Sequence, residues 1–269
     1  MIRAGSYLRA RHAALWGVAL IAVACAAPLA GCKNNSSSAA TVEHRAGKPP
    51  VVVAQFAPDS LLDAGPLSSP AWQNAAWSPL IAPANTSRTT APTKAAVLFD
   101  AATLYVAVIS ALPTAPDPAG PDAVSLFLDT KGDGRELLQV SADSAGTTRC
   151  AWIRSNVAIE PLDDGSPNLG YPLDVRPAYQ LAGLNAQIRT GVFEGQPVWT
   201  LTLAVPVAGM PALMQVPPAN DAHWKFNILR TYLADGAGQR AVMQSNLSPV
   251  YINAQTVSPY RMADLVFAP

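Results

Sequence analysis

Trp152 and Arg154 alternate along Ala151-Trp152-Ile153-Arg154, so an extended strand would carry an indole and a guanidinium on one face. Such a pair could hold a sugar. A pyranose lays its apolar face on an indole, while planar Arg and Asn groups bracket its hydroxyls. Asn227 and Arg230, in Trp224-Lys225-Phe226-Asn227-Ile228-Leu229-Arg230, offer the same polar chemistry. On a strand, residues three apart point to opposite faces, so these two share a pocket only if a bulge intervenes. For Arg230 the structural alternative is a salt bridge to a strand-end aspartate. Trp72 and Trp77 suit closure of an N-terminal segment onto the domain, and Trp199, leading a strand, suits core packing. Asp129 and Asp133, in Asp129-Thr130-Lys131-Gly132-Asp133-Gly134, raise the question of calcium. A calcium loop of the helix–loop–helix kind needs an oxygen ligand at its third position and Glu at its twelfth, and these are Lys131 and Val140. A hairpin turn fits better, leaving one calcium on Asp129 or Asp133 with backbone carbonyls as the only metal reading.

Little else suggests catalysis. His12 and His44 precede the folded part, so His223 is its one histidine, which excludes a His-rich zinc site. There is no Gly-x-Ser-x-Gly, no phosphate loop and no dinucleotide fingerprint. Two carboxylates suffice for a glycosidase, but Glu136, Glu160 and Glu194 are the domain's only glutamates. The expectation is a protein that is not an enzyme and has no cofactor, calcium aside.

Leu29-Ala30-Gly31-Cys32 closes a segment that begins with Arg3, Arg9 and Arg11, runs apolar from Ala13 to Ala27 and contains no carboxylate. That is the layout of a secretory leader, residues 1–31; its apolar run falls short of the roughly 20 residues of a spanning helix. The four residues resemble the lipobox of bacterial lipoproteins. The resemblance implies lipidation of Cys32, attachment to a membrane through acyl chains, and a cell-envelope location. Lys33 stands where an aspartate often marks inner-membrane retention, so the outer membrane is expected if the cell has one. Residues 32–50 then form a flexible tether: Asn34-Asn35-Ser36-Ser37-Ser38-Ala39-Ala40 has almost nothing to bury.

Without residues 1–31, 15 basic groups face 18 acidic ones, a net charge near −3, so nothing attracts nucleic acid. Cys150 is then the only cysteine besides Cys32 and cannot form an internal disulfide; a small buried hydrophobe is its expected role. With 25 prolines in 269 residues the composition suits strands and turns. Residues 51–269 read as one domain. The expected strands are Lys94–Phe99, Thr103–Ser110, Ala123–Asp129, Glu136–Ala142, Thr147–Arg154, Asn185–Thr190, Pro197–Val205, Trp224–Tyr232, Arg240–Gln244 and Ala263–Phe267. Short strands with turn clusters between them predict an all-β domain, an antiparallel sandwich or barrel. Residues Pro161 to Pro177 read as a long loop, a candidate binding loop or mere decoration.

Taken in order, these runs resemble the family 9 carbohydrate-binding modules. Asp63 with Trp72-Gln73-Asn74-Ala75-Ala76-Trp77 is similar to the family's opening, and Lys94–Asp100 with Leu104–Val108 to its hairpin. Asp122–Asp129, Trp199–Pro206, Trp224–Arg230, Ser248-Pro249 and Ala263–Phe267 follow in the family's order. The resemblance spans about residues 58–267 and implies a jelly-roll-like antiparallel β-sandwich that binds a polysaccharide or oligosaccharide without cutting it. It also makes Arg230 a ligand candidate. Thr202 stands where the family commonly has glutamate, which puts any calcium carried over from it in doubt. The alternative is an envelope protein-interaction or structural module with no sugar site. Related DOMON-like sandwiches hold haem, for which His223 with Met210 or Met214 is a poor ligand offer.

Overall fold

The computed structural model describes residues 50–57, 61, 65–82, 90–113, 122–132, 135–155, 173–176, 178–211, 223–236, 239–248 and 262–268. The leader, Cys32, nearly all of the tether, Asp63, Asp133, Met214 and most of the Pro161–Pro177 stretch lie outside these residues. The described elements are β1 (Val51–Phe56), α1 (Pro70–Gln73), β2 (Ser78–Pro79), β3 (Thr93–Phe99), β4 (Thr103–Ala111), β5 (Ala123–Asp129), β6 (Glu136–Asp143) and β7 (Thr148–Ser155). There follow β8 (Leu173–Arg176), β9 (Asn185–Phe193), β10 (Gln196–Pro206), a 3₁₀ turn at Val207–Gly209, β11 (His223–Gly236), β12 (Gln239–Asn246) and β13 (Ala263–Ala268).

These strands form one sheet in the order β8-β7-β6-β5-β11-β13-β1-β3-β4-β10-β9, with β12 beside β11 and β2 beside β3. The sheet curls so that both halves bury one face in a shared core. Val124, Leu126, Leu138, Val140, Phe226 and Ile228 come from one half, and Val97, Val106, Val108, Trp199, Leu201 and Leu203 from the other. Alternation drives this: each strand puts every second side chain inward, where burying an aliphatic side chain is worth about 1.5–3 kcal/mol. The sheet is mixed, which corrects the expectation of a wholly antiparallel jelly roll. β1 lies between β13 and β3 and runs parallel to both. The 36 residues between β1 and β3 supply the crossover that parallel pairing requires.

Aspartates at strand ends turn the hairpins. Asp100 Oδ1 accepts from the Ala102 and Thr103 amides at 2.8 and 2.7 Å, closing β3 onto β4. Asp143 Oδ1 does the same for Ala145 and Thr147 between β6 and β7. Between β9 and β10, Glu194 and Gly195 both have positive φ, 50° and 76°, the backbone of a two-residue hairpin turn whose twist matches its strands.

The outer face of β3, β4 and β10 carries Ala96, Ala107 and Ala204, and these small residues leave room for Trp72 of α1, which is fully buried against them. Pro70 opens that helix at its first turn, where a missing N–H costs nothing. Trp77 donates its Nε1 hydrogen to the Trp72 carbonyl at 2.8 Å and remains half-exposed. The two indoles therefore close the N-terminal segment over the sheet. Replacing Trp72 with Ala should lower unfolding free energy by about 3–5 kcal/mol, read from urea denaturation, and Trp77→Ala should cost clearly less.

Candidate functional site

Two polar assemblies emerge from the strands, one closed and one open. The closed one centres on Arg230. Trp224, Phe226, Ile228 and Arg230 share one parity on β11 and all point into the core, so the guanidinium sits with no exposed surface. Its Nε and Nη2 donate to Asp122 Oδ1 and Oδ2 at 2.9 and 2.6 Å. Nη2 also donates to the Ala111 carbonyl at 2.9 Å, and Nη1 to Thr93 Oγ1 at 2.8 Å and the Ala91 carbonyl at 3.5 Å. Trp199 Nε1 donates to the same Asp122 carboxylate at 2.7 Å, and the Tyr232 ring lies 4.5 Å from the guanidinium carbon. All five guanidinium N–H groups are engaged within the protein. The ligand role expected of Arg230 is corrected accordingly: the geometry is that of the structural salt bridge, with Asp122 as the aspartate.

Asn227 faces the other way, as its parity requires, and is also fully buried. Its Oδ1 accepts from the Ile228 and Ser248 amides at 2.9 and 3.1 Å, holding the chain that leaves β12 against β11. No bulge brings Asn227 and Arg230 together, so neither is placed to bracket a sugar hydroxyl. Asp129 is buried too, its Oδ1 accepting from the Lys131 and Gly132 amides at 3.0 and 2.8 Å as the start of a turn. Asp133 lies outside the described residues, and among the described residues no group of three His, Cys, Asp or Glu side chains could hold a metal. Thr202 is buried on the outer face of β10, between Ala107 and Gln187 in register.

The open assembly lies beside β7. Thr148, Arg149 and Cys150 meet residues Tyr179 to Ala182 and Leu184 around a cavity of about 430 Å³. This size falls within the range of about 300–1,000 Å³ usual for small-ligand clefts. The second wall is pinned from behind: Tyr179 donates its hydroxyl hydrogen to the Gly209 carbonyl at 3.0 Å. Gly209 itself must be glycine, because a Cβ there would stand 2.6 Å from the Ala182 carbonyl oxygen. Trp152 does not line the cavity. It is half-buried against the core, its ring 6.2 Å from the Tyr179 ring and edge-on to it, so it backs the aromatic that faces the opening. Arg154 shares its parity two residues on but turns to Glu136, 3.7 Å away. Burial pushes the Cys150 thiol up to about 11, and burial with Cys150 nearby raises the Tyr179 phenol above its ordinary value. Both stay neutral at physiological pH.

Trp152 stands behind the cavity and not in its lining. Tyr179 and Gln180 carried no signal in the sequence, because they reach β7 only through the fold.

No protein-family model matches the sequence, and no curated protein matches it at a significant level. Solved structures do share its fold. A family 9 carbohydrate-binding module from Caldicellulosiruptor kristjanssonii, in complex with cellotriose, aligns with a TM-score of 0.52 at 13% identity, over 80% of this chain and 92% of that one. The same module in complex with glucose gives 0.52 at 14% identity, over 81% and 95%. A candidate carbohydrate-binding protein from Bacteroides uniformis gives 0.53 at 11% identity, over 81% and 99%. The chain thus has the fold of the family 9 modules.

Removing the guanidinium would strand the Asp122 carboxylate and three backbone or hydroxyl acceptors in the core. Arg230→Ala should therefore destabilise the protein by about 3–5 kcal/mol, measured by urea denaturation.

Proposed function

We propose that this chain holds a polysaccharide or oligosaccharide without cleaving it, as the folded part of a cell-envelope lipoprotein anchored through Cys32. The observation that carries the sugar half is the cavity beside β7. It is open, has a mixed polar and aromatic lining, and is set between a strand and a segment pinned by Gly209. Its Tyr179 ring is braced by Trp152, and Thr148 and Gln180 offer donors and acceptors for hydroxyls. The likeness in fold to modules seen with cellotriose and glucose agrees with this reading. The membrane half rests on the Leu29-Ala30-Gly31-Cys32 lipobox and the polar tether after it. A single acyl chain holds a protein only marginally, and two or three hold it almost permanently.

A glycan array probed with the purified full chain should give hits that weaken at least about tenfold on Tyr179→Ala, with Trp152→Ala weakening them less. Silence from a folded sample across plant, microbial and animal glycans would overturn the sugar reading and leave docking to another envelope protein in its place. In cells, Cys32→Ser should move the protein from the membrane fraction to the soluble one; retention in the membrane fraction would refute the anchor.

A further inference from the structure

An apolar rim and the entry of the chain share one end of the domain. β1 runs parallel to β3, so Pro50 and Val51 enter the sheet on the side where β3 begins, the side on which Arg230 meets Thr93. β4 and β9 finish on that side and β10 starts there. Ser110, Trp199 and Thr190 form a cross-strand row there, and the first two are buried. Two residues farther out, Leu112, Pro197 and Val192 form the next row on the same face. The Leu112 amide donates to the Pro197 carbonyl at 2.9 Å, and Pro197 stands opposite Val192. All three are exposed, Leu112 at 47% and Val192 at 68%. On the other face of this hairpin, Lys94 Nζ lies 3.8 Å from the centre of the Phe193 ring and 5.4 Å from that of Trp77, with Glu194 at 3.7 Å. At the opposite end, Asp100 and Asp129 cap polar turns, and the exposed Phe56 packs edge-on against Phe99.

We propose that this end rests on a lipid surface, with Leu112, Pro197 and Val192 entering the boundary between headgroups and acyl chains. A contiguous exposed apolar row is what such a boundary takes up. Trp77 and Lys94 suit its polar edge, because an indole has an apolar body and a polar tip, and a lysine stem lies along apolar groups while its ammonium stays in water. The chain leading to the anchor selects lipid as the occupant. Eighteen residues, 33–50, separate Cys32 from Val51. A flexible chain of that length spans about 20–25 Å on average, whereas the nine residues of β4 alone extend about 30 Å. The entry end is thus the one that an anchored Cys32 holds beside the membrane. Leu184, in the wall of the cavity, immediately precedes β9, and Val192 lies near the other end of that strand, about 23 Å along it. Docking through Val192 therefore leaves the cavity open to a ligand. This inference rests on the lipid anchor proposed above and adds an orientation to it.

The test uses the mature chain, purified from the membrane fraction and reconstituted in phosphatidylcholine vesicles. An environment-sensitive fluorophore is attached to a cysteine introduced by Val192→Cys or, at the opposite end, by Ala101→Cys. Cys150 is buried with a neutral thiol, so the label goes to the introduced site. The Val192 label should shift to the blue and be quenched by brominated lipid, and the Ala101 label should do neither. Leu112→Glu should abolish the quenching at position 192 while the protein stays in the membrane fraction, and Ala101→Glu should leave it intact. A membrane-bound protein with both labels unquenched, or both quenched alike, would overturn the inference while leaving the anchor standing. A blue shift at position 192 without quenching would also overturn it, in favour of a protein partner. Recovery of the mature chain in the soluble fraction would overturn the anchor and the docking together.

Discussion

The Arg230–Asp122 ion pair is the contact on which the two halves of the sheet converge. Arg230 belongs to β11 and Asp122 leads into β5, while the other groups on the pair come from Thr93 and Ala91 at β3, Ala111 of β4 and Trp199 of β10. One guanidinium thus ties both layers at one end of the core. A buried ion pair yields little net stability by itself, because desolvation offsets its Coulombic attraction. What it imposes is register. A slip of one residue in β11 would carry Arg230 to the outer face, where Asn227 now sits, and would leave Asp122 unpaired inside.

That register reaches the cavity. Arg230 stands opposite Val124, Val124 opposite Ala142, and Ala142 opposite Thr148. Thr148 is therefore in the same cross-strand row as Arg230, about 14 Å away at three strand spacings. Cys150, two residues along β7, shares its face. Arg230 thus lies in the row that sets the register of this wall while being itself sealed in the core.

Local pattern was readable and long-range meeting was not. The run Ala123–Asp129 matches β5 residue for residue: Val124, Leu126 and Leu128 alternate into the core, and a turn-forming aspartate ends the strand. The opposed faces of Asn227 and Arg230 followed from parity alone. The partner of Arg230 did not, since Asp122 lies 108 residues away. β1 was legible as the start of the domain, but its insertion in parallel between β13 and β3 depends on pairing across most of the chain. Trp152 was expected as a platform on the evidence of its own strand, and only the arrival of Tyr179 from a segment without periodicity turns it into a brace.

The described acidic residues are occupied in holding the fold. Asp100, Asp129 and Asp143 cap turns. Asp122 holds Arg230, Glu136 lies between Lys131 and Arg154, Asp264 takes Lys225 at 2.6 Å, and Glu194 faces Lys94. Every carboxylate whose side chain is described thus has a structural partner. A hydrolytic sugar site needs two carboxyl groups facing a shared opening, one to protonate and one to attack or activate water. Around the cavity the described side chains are instead a hydroxyl, a thiol, a phenol, an amide and aliphatic groups, and no described carboxylate is among its lining residues.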